Sequence, residues 1–354
     1  LEINNDSKVF VIAEIGNNHN GCLKNAKKLI KLAKEAGADC AKFQMRDIKE
    51  LYKSGSESDN SADLGSQYTM DLLQKFQLSD NDLFKAFDYC KDLDILPLCT
   101  PWDVSSLSKL EDYGMPAYKV ASADLTNHDF LESLAQTKKP LICSSGMSTE
   151  DEILKTSKFL DSKGAQYVLL HCNSTYPTPY KDINLSYIER LGNITGKIIG
   201  YSGHERGIHV PVTAVALGAK IIEKHFTFDK SMEGNDHKVS LLPDEFKSMI
   251  NQIRNIEEAM GVDEKRELSQ GELINRDTLA KSLISTVDIS KGDIIKFDYI
   301  ETKSPGQGLQ PIYKDDLIGK KSKRDIKNDS YFYESDLNDE IIKSKKYKFN
   351  RLFD

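Results

Sequence analysis

The sequence predicts an α/β fold, a (β/α)8 barrel followed by a small β-rich domain. Three observations predict it. Eight apolar runs of strand length recur before residue 261, and amphipathic stretches separate most of them in units of about 30 residues. After residue 261 the chain changes to short β-rich runs broken by "KGD", "SPGQG" and "KND" turns. Short, continuously apolar strands favour a closed parallel barrel over an open doubly wound sheet.

The strands and helices follow from local pattern. The predicted strands cover 9–15, 40–45, 95–100, 117–122, 140–145, 167–172, 197–202 and 220–226. Among the helices, "LKNAKKLIKLAKEAG" ends at a glycine, and "SDNDLFKAFDYCKDL" begins with a serine suited to capping. The long polar loop over 46–79 is predicted to be mobile and to cover an active site.

The predicted organisation has four parts. They are a barrel domain over 1–261, a charged connector over 262–281, a small β-rich domain over 282–337 and a basic tail over 338–354.

Composition excludes several classes of protein. A formal net charge of −7 disfavours nucleic-acid binding, and no apolar run is long enough to cross a membrane. The first residues do not form a secretion signal, so we expect a cytoplasmic protein. The six cysteines form no C-x-x-C pair and are expected to be reduced core residues.

Polar residues interrupt the apolar strands where a barrel places its active site, at the carboxyl ends. Lys42 and Lys119 lie within apolar strands, and strand-end hydroxyls follow nearby. One such lysine can be a stem that snorkels to solvent, whereas the pair favours binding of a phosphate or carboxylate.

Two histidines and one glutamate carry further chemistry. His204 and His225 end adjacent predicted strands, so they are either core histidines or two ligands of one divalent cation that keeps open positions. Glu14 is either an ion-pair partner of a barrel lysine or an acid/base group. Glu223 shares a face with His225, whereas Lys224 is predicted to point outward and be dispensable.

Several motifs resemble those of one family. "IAEIGNNHNG", "GADCAKFQ", "AYKVASAD", "SSGM", "HCNSTYPTPY", "IGYSGHERGIHV", "ALGAKIIEKHF" and "NDHKVSLLP" resemble the sialic acid synthase family in order and spacing. The resemblance covers nearly the whole chain, including a small domain similar to the family's antifreeze-like (SAF) domain.

The resemblance implies an activity. Such an enzyme condenses phosphoenolpyruvate with an N-acetylated amino sugar, N-acetylmannosamine before others, to give a nine-carbon sialic acid and inorganic phosphate. It also implies a divalent metal, Mn²⁺ before Mg²⁺ or Co²⁺, and a domain-swapped homodimer.

The resemblance also implies roles for individual residues. Glu14 and Asp124 match catalytic positions, His204 and His225 match metal ligands, and the sugar-binding positions are Tyr176, Asp236 and Ser174. The positions that hold phosphoenolpyruvate are Lys42, Gln44, Thr100, Lys119, Ser122, Ser144 and Ser202.

Alternatives remain at this level. Legionaminic and pseudaminic acid synthases, which use diacetamido hexoses, share the same core motifs. Ser304 stands where the family often has a sugar-contacting arginine. A barrel aldolase that forms a Schiff base on Lys119 and a non-catalytic carbohydrate-binding protein are the competing classes.

Overall fold

The computed structural model describes residues 3, 4, 6–51 and 70–337. The chain divides into two compact units, Leu1–Gly261 and Val262–Asp354, which are described separately. Most of the polar loop predicted over 46–79, and the tail over 338–354, lie outside the described residues.

Eight parallel strands close a barrel in the first unit, in chain order, with the eighth strand paired to the first. The predicted barrel is confirmed. The strands are β1 (Phe10–Gly16), β2 (Cys40–Met45), β3 (Leu96–Pro101), β4 (Tyr118–Val120), β5 (Leu141–Ser144), β6 (Tyr167–Cys172), β7 (Ile199–Gly203) and β8 (Ile221–His225).

Helices connect the strands. They are α1 (Leu23–Ala36), α2 (Ile48–Leu51), α3 (Met70–Phe76), α4 (Asp80–Asp92), α5 (Val104–Tyr113), α6 (His128–Gln136), α7 (Glu150–Ser162), α8 (Tyr187–Thr195), α9 (His209–Ala216), α10 (Asp236–Val239) and α11 (Pro243–Met260). Local chemistry sets their ends: the Ser79 side chain caps α4 by accepting from the Asp82 N–H, and Gly37 ends α1 at a φ of 93°.

Side-chain alternation along the strands builds two apolar layers. Outward residues of the strands, such as Val11 and Phe43, pack against the helices. Inward residues near the amino ends, such as Phe10, Ile12 and Ile221, fill the barrel floor. Further along each strand the inward positions become polar. The barrel interior is therefore apolar at the amino ends of the strands and lined with polar side chains at their carboxyl ends.

The environment of Lys224 argues against the prediction that this residue is dispensable. It points away from the barrel interior, as alternation requires, but it is fully buried and lies 2.7 Å from the equally buried Glu205 carboxylate. Loss of one partner from such a pair leaves an uncompensated buried charge.

The second unit contains α12 (Gln270–Leu279), β9 (Ser282–Ser285), β10 (Ile300–Lys303), α13 (Lys314–Leu317) and α14 (Glu334–Leu337), with β9 and β10 antiparallel. Helix α12 lies inside the segment predicted to be a connector. It begins there because Ser269 and Glu272 form a capping box at its amino end. The apolar core of the unit centres on residues such as Leu283, Ile300 and Phe332.

All six cysteines are free thiols. Five of them are buried, as predicted, whereas Cys22 is exposed and is not a core residue. Within the described residues, no helix combines the length and the apolar character needed to cross a membrane.

Candidate active site

A cavity of 530 Å³ opens at the carboxyl ends of the barrel strands. It collects every sequence-predicted site residue except Asp124. Those residues are Glu14, Lys42, Gln44, Thr100, Lys119, Ser122, Ser144, Ser174, Tyr176, Ser202, His204, His225 and Asp236. Barrel closure makes this possible, because residues from every part of the first unit reach one rim.

Lys42 is the centre of a buried ionic cluster. Its Nζ lies 2.7 Å from Glu14 Oε2 and 3.7 Å from Glu223 Oε1, and it donates to Thr100 Oγ1 at 3.2 Å. The register explains the meeting, because Glu14 is paired with Lys42 on one side and with His225 on the other. The cluster therefore joins the first, second and eighth strands.

Lys119 has a different environment from Lys42, although both side chains are only 3% exposed. Its Nζ donates to Ser144 Oγ at 2.6 Å and to the Val120 carbonyl at 2.8 Å. Among the described residues no carboxylate oxygen lies within ion-pair distance of it. A buried ammonium flanked by a hydroxyl is suited to bind an anionic ligand.

The pKa values of the two ammonium groups shift in opposite directions in the cavity. Burial lowers the pKa of both, but the carboxylates of Glu14 and Glu223 outweigh burial at Lys42 and raise its pKa overall. At Lys119 burial prevails over the more distant charge of Glu223, so its pKa is lowered. The charge of Lys42 is thus already balanced by neighbouring carboxylates. The charge of Lys119 has no such close partner, so a bound anion would offset the cost of burying it.

Glu14 has the environment of a proton-transfer group. Burial raises its pKa above the ordinary value, partly opposed by Lys42, and Gln44 Nε2 donates to its Oε1 at 2.7 Å. A raised pKa brings a carboxyl group closer to neutrality, where acid/base transfer is most effective. Arg46 extends the row by donating to Gln44 Oε1.

Sequence reasoning missed Arg46, which lies over the Trp102 ring at 5.0 Å and lines the same cavity. The available signal was spacing, because Lys42, Gln44 and Arg46 follow one another at intervals of two. Glu223 was placed on the correct face but given no role. The other cavity residues that were not predicted are Asn17, Leu73, Trp102, Ala121, Ala123, Met147, Cys172 and Asn235.

The turn after β5 brings two hydroxyls together. A Cβ on Gly146 would lie 2.3 Å from Ser174 Oγ and 2.7 Å from Ser122 Oγ, so only glycine leaves room for both. The "SSGM" turn therefore leaves room for the serines that follow β4 and β6 to approach the cavity.

His204 and His225 face each other with ring centroids 5.4 Å apart. The His204 Nδ1 lies 2.7 Å from the Asn173 carbonyl, which leaves Nε2 for another partner, an arrangement typical of metal-binding histidines. The His225 Nδ1 is buried with no hydrogen-bond partner in the described part of the chain, and Asp236 Oδ2 is 3.7 Å away. These two imidazoles fit a divalent cation.

The fit is to a cation with few protein ligands. Within residues 3, 4, 6–51 and 70–337 no group of three or more His, Cys, Asp or Glu side chains could hold a metal ion. Two imidazoles would leave coordination positions for water and substrate. The Tyr176 ring lies against His204, with centroids 4.0 Å apart, and closes one side of the pair.

The loop after β1 anchors the segment around α10, the helix that begins at Asp236. Asn18 Nδ2 donates to the Phe226 carbonyl and to Ser240 Oγ, both at 2.9 Å. The Ser240 hydroxyl in turn donates a hydrogen bond to the Asp236 carbonyl. This role for the "GNNHNG" segment was not visible in the sequence, since it depends on the meeting of the first and last strands.

Asp124 is not brought to the cavity. Strand β4 ends at Val120, and the 3₁₀ turn over Ser122–Asp124 directs the Asp124 carboxylate to Asn127 Nδ2, at 3.3 Å. Ser122 and Ala123 of this turn line the cavity, whereas Asp124 does not, and its catalytic role stays a prediction.

Comparison with known proteins identifies the family. The NeuB family model matches residues 29–265, and the SAF domain model matches residues 280–338. The chain is 37% identical over 335 residues to N,N'-diacetyllegionaminic acid synthase of Campylobacter jejuni, covering 92% of this chain and 99% of that protein. It is 38% identical over 328 residues to pseudaminic acid synthase of the same species, covering 92% and 95%.

A solved structure agrees with these matches. The N-acetylneuraminic acid synthetase from Leptospira borgpetersenii, in complex with citrate, has a TM-score of 0.70 and 32% identity, covering 79% of this chain and 95% of that one. The resemblance of the motifs to the sialic acid synthases is thus confirmed. This chain belongs to the NeuB family and carries a SAF domain after its barrel.

Proposed function

We propose that this enzyme condenses phosphoenolpyruvate with an N-acetylated amino sugar to form a nine-carbon sialic acid and inorganic phosphate. N-acetylmannosamine is the first candidate sugar, and diacetamido hexoses are the alternative. The observation that carries the proposal is one cavity holding two buried ammonium groups, a carboxyl group of raised pKa and two facing imidazoles. The products named for the relatives support it.

The ammonium groups and hydroxyls bind the anion. Lys119 and the adjacent Ser144, with Ser122 in the same cavity, offer donors to a phosphate or carboxylate. Lys42, Gln44, Thr100 and Ser202 complete this wall, with Lys42 held in place by its carboxylate partners. Fixing the anion here orients the enol carbon toward the imidazole side of the cavity.

The reaction requires one carbon–carbon bond and one carbon–oxygen cleavage. Carbon three of phosphoenolpyruvate supplies its π electrons to the sugar aldehyde carbon, and the aldehyde oxygen takes up a proton. Water adds to carbon two and loses a proton. The C–O bond to phosphate then breaks, and the carbon-two hydroxyl gives up its proton to the departing phosphate, which leaves a ketone and inorganic phosphate. We assign these proton transfers to Glu14, and its pKa, which burial raises above the ordinary value, supports this assignment.

His204 and His225 would hold a divalent cation, Mn²⁺ first and Mg²⁺ or Co²⁺ as alternatives. When bound, such an ion polarises a carbonyl oxygen. Tyr176, Ser174 and Asp236 surround this side of the cavity and would orient the sugar.

A phosphate-release assay tests the proposal. We expect phosphate release to require phosphoenolpyruvate, an N-acetylated sugar and a divalent ion, and to fall severely in His225→Ala. A panel of N-acetylmannosamine, its 6-phosphate and diacetamido hexoses then identifies the sugar. Turnover that persists after EDTA treatment and in His225→Ala would overturn the metal role, and no release with any sugar would overturn the condensation.

Sugar choice also depends on residue 304. The Ser304 hydroxyl accepts from Lys281 Nζ at 2.8 Å within the second unit. It offers no guanidinium, so we propose that the sugar's substituent is recognised by other groups. We also propose a homodimer, for which size-exclusion chromatography with light scattering is expected to give twice the chain mass.

One observation favours a second candidate. The lowered pKa of Lys119 increases the neutral amine fraction that a Schiff-base aldolase requires. Borohydride trapping of pyruvate on Lys119 would support this activity, whereas phosphate release without trapping would exclude it.

A further inference from the structure

A buried charged cluster lies on the outer side of β7 and β8, away from the cavity. It consists of Tyr201, Glu205 and Lys224, and we call it the outer triad. Glu205 and Lys224 are both 0% exposed, with Lys224 Nζ 2.7 Å from Glu205 Oε1. The Tyr201 hydroxyl donates to Glu205 Oε2 at 2.6 Å. None of these residues lines the cavity.

The Lys224 ammonium also holds the backbone around His204. Besides the carboxylate, it donates to the Gly203 carbonyl at 3.2 Å and to the Glu205 carbonyl. These carbonyls belong to the residues before and after His204, while Lys224 itself precedes His225 in β8. One side chain thus ties the backbone on both sides of one imidazole to the strand that carries the other.

Stability alone does not explain this arrangement. Burying an ion pair costs several kcal/mol of desolvation per ion, and apolar residues of similar volume are often as stable or more so. An apolar side chain, however, cannot donate to two carbonyls. The backbone is also shaped for the cluster, because a Cβ on Gly203 would lie 2.5 Å from Glu205 Oε2.

We propose that Lys224, supported by Glu205, is a positioning residue that holds the imidazoles of His204 and His225 at the spacing a divalent cation requires. Ligand groups must be held within about 0.5 Å of the productive geometry, and groups beyond the ligands commonly supply this order. This inference rests on the metal role in the proposed function. It adds two residues outside the cavity, Lys224 and Glu205, that hold the backbone of the two histidines.

The test measures Mn²⁺ affinity rather than turnover. The full chain is prepared as wild type and as the double variant Lys224→Met with Glu205→Gln, which removes both charges together and so orphans neither. The Mn²⁺ dissociation constant is measured by calorimetry, and folding is checked by circular dichroism. We expect a folded double variant with Mn²⁺ affinity reduced about 10- to 100-fold, as for other outer-shell partners of metal ligands.

The chain offers a control with the same residue types at a half-buried position. Tyr118, Glu111 and Lys139 form a second Tyr–Glu–Lys cluster, in which Lys139 Nζ lies 2.6 Å from Glu111 Oε1 and the Tyr118 hydroxyl also donates to Glu111. Lys139→Met with Glu111→Gln removes the same charges and is expected to leave Mn²⁺ affinity within twofold of wild type.

The outcomes are distinct. A folded Lys224→Met, Glu205→Gln variant that binds Mn²⁺ within twofold of wild type overturns the positioning role, while the metal role stands. Wild type that does not bind Mn²⁺ overturns both. If the Met variant does not fold, Lys224→Gln with Glu205→Gln keeps the interior polar but cannot reach both carbonyls, and unchanged Mn²⁺ affinity in it refutes the proposal.

Discussion

Lys42 and Lys119 are equally buried in one cavity, yet the loss of Lys42 is expected to lower stability far more than the loss of Lys119. Lys42→Met leaves Glu14 and Glu223 without the cation that lies 2.7 Å and 3.7 Å from them. At an effective dielectric of about 20 these contacts represent roughly 6 and 4.5 kcal/mol of attraction before desolvation. Lys119→Met breaks no ion pair within 4 Å among the described residues, and Glu223, which it attracts from farther away, keeps Lys42 as a partner.

The size of the Lys42→Met effect has an upper limit. Glu223 keeps the nearby charge of Lys119, so Glu14 is the carboxylate that loses its main cation. Glu14 can then take up a proton, which at pH 7 costs about 3.5 kcal/mol from an ordinary pKa of 4.5. We therefore expect Lys42→Met to lower the free energy of unfolding by about 3 to 4 kcal/mol at pH 7. Lys119→Met is expected to stay within about 1 kcal/mol of wild type, since it loses two hydrogen bonds but also the desolvation cost of an ammonium.

The pH dependence has a definite sign. In Lys42→Met the folded pKa of the orphaned carboxyl is raised above its unfolded value, so its deficit vanishes below the unfolded pKa and grows as pH rises. At pH 5 protonation costs only about 0.7 kcal/mol, and the deficit should shrink accordingly. Urea unfolding followed by circular dichroism at pH 7 and pH 5 measures it.

Two results would refute this reasoning. One is an equal loss of stability in Lys42→Met and Lys119→Met at pH 7, and the other is a Lys42→Met deficit that is unchanged at pH 5. Both variants should raise the KM for phosphoenolpyruvate at least about tenfold, since each removes a charged donor.

Three further changes test the site and the scaffold. Glu14→Gln should lower kcat about 100- to 10,000-fold in the phosphate-release assay while leaving the fold intact, and an unchanged kcat would exclude proton transfer by Glu14. Gly146→Ala should displace the Ser122 and Ser174 hydroxyls, so that KM rises with little change in melting temperature; wild-type kinetics would contradict the crowding at this turn. Thr149→Ala should lower the free energy of unfolding by about 1 kcal/mol through loss of the capping box of α7, with activity unchanged at 25 °C.

Local pattern was sufficient for the barrel because the signals it uses are local. An apolar run bounded by turn residues predicts a strand wherever it lies, and all eight strands form within a few residues of the predicted limits. Alternation then placed Lys42, Gln44, Glu223 and His225 on the inner face. The connector was less predictable, because helix α12 depends on the Ser269 capping box within a charged segment.

Turn geometry and distant contacts were not accessible in this way. Asp124 follows β4 closely enough to suggest a site residue, yet one 3₁₀ turn rotates its carboxylate out of the cavity. Arg46 showed the correct spacing but lay beyond the predicted strand.

Amino-acid order was enough to predict the strands, the helices and the inventory of polar groups at one end of the barrel, because side-chain direction in a strand follows from alternation alone. Tertiary structure decided which of those groups meet. Lys42 contacts carboxylates of the first and eighth strands, and Lys224 reaches the carbonyls on both sides of His204, only because the sheet closes in one register. These contacts join residues that are far apart in the chain. They form only when the whole barrel closes, so local sequence pattern does not predict them.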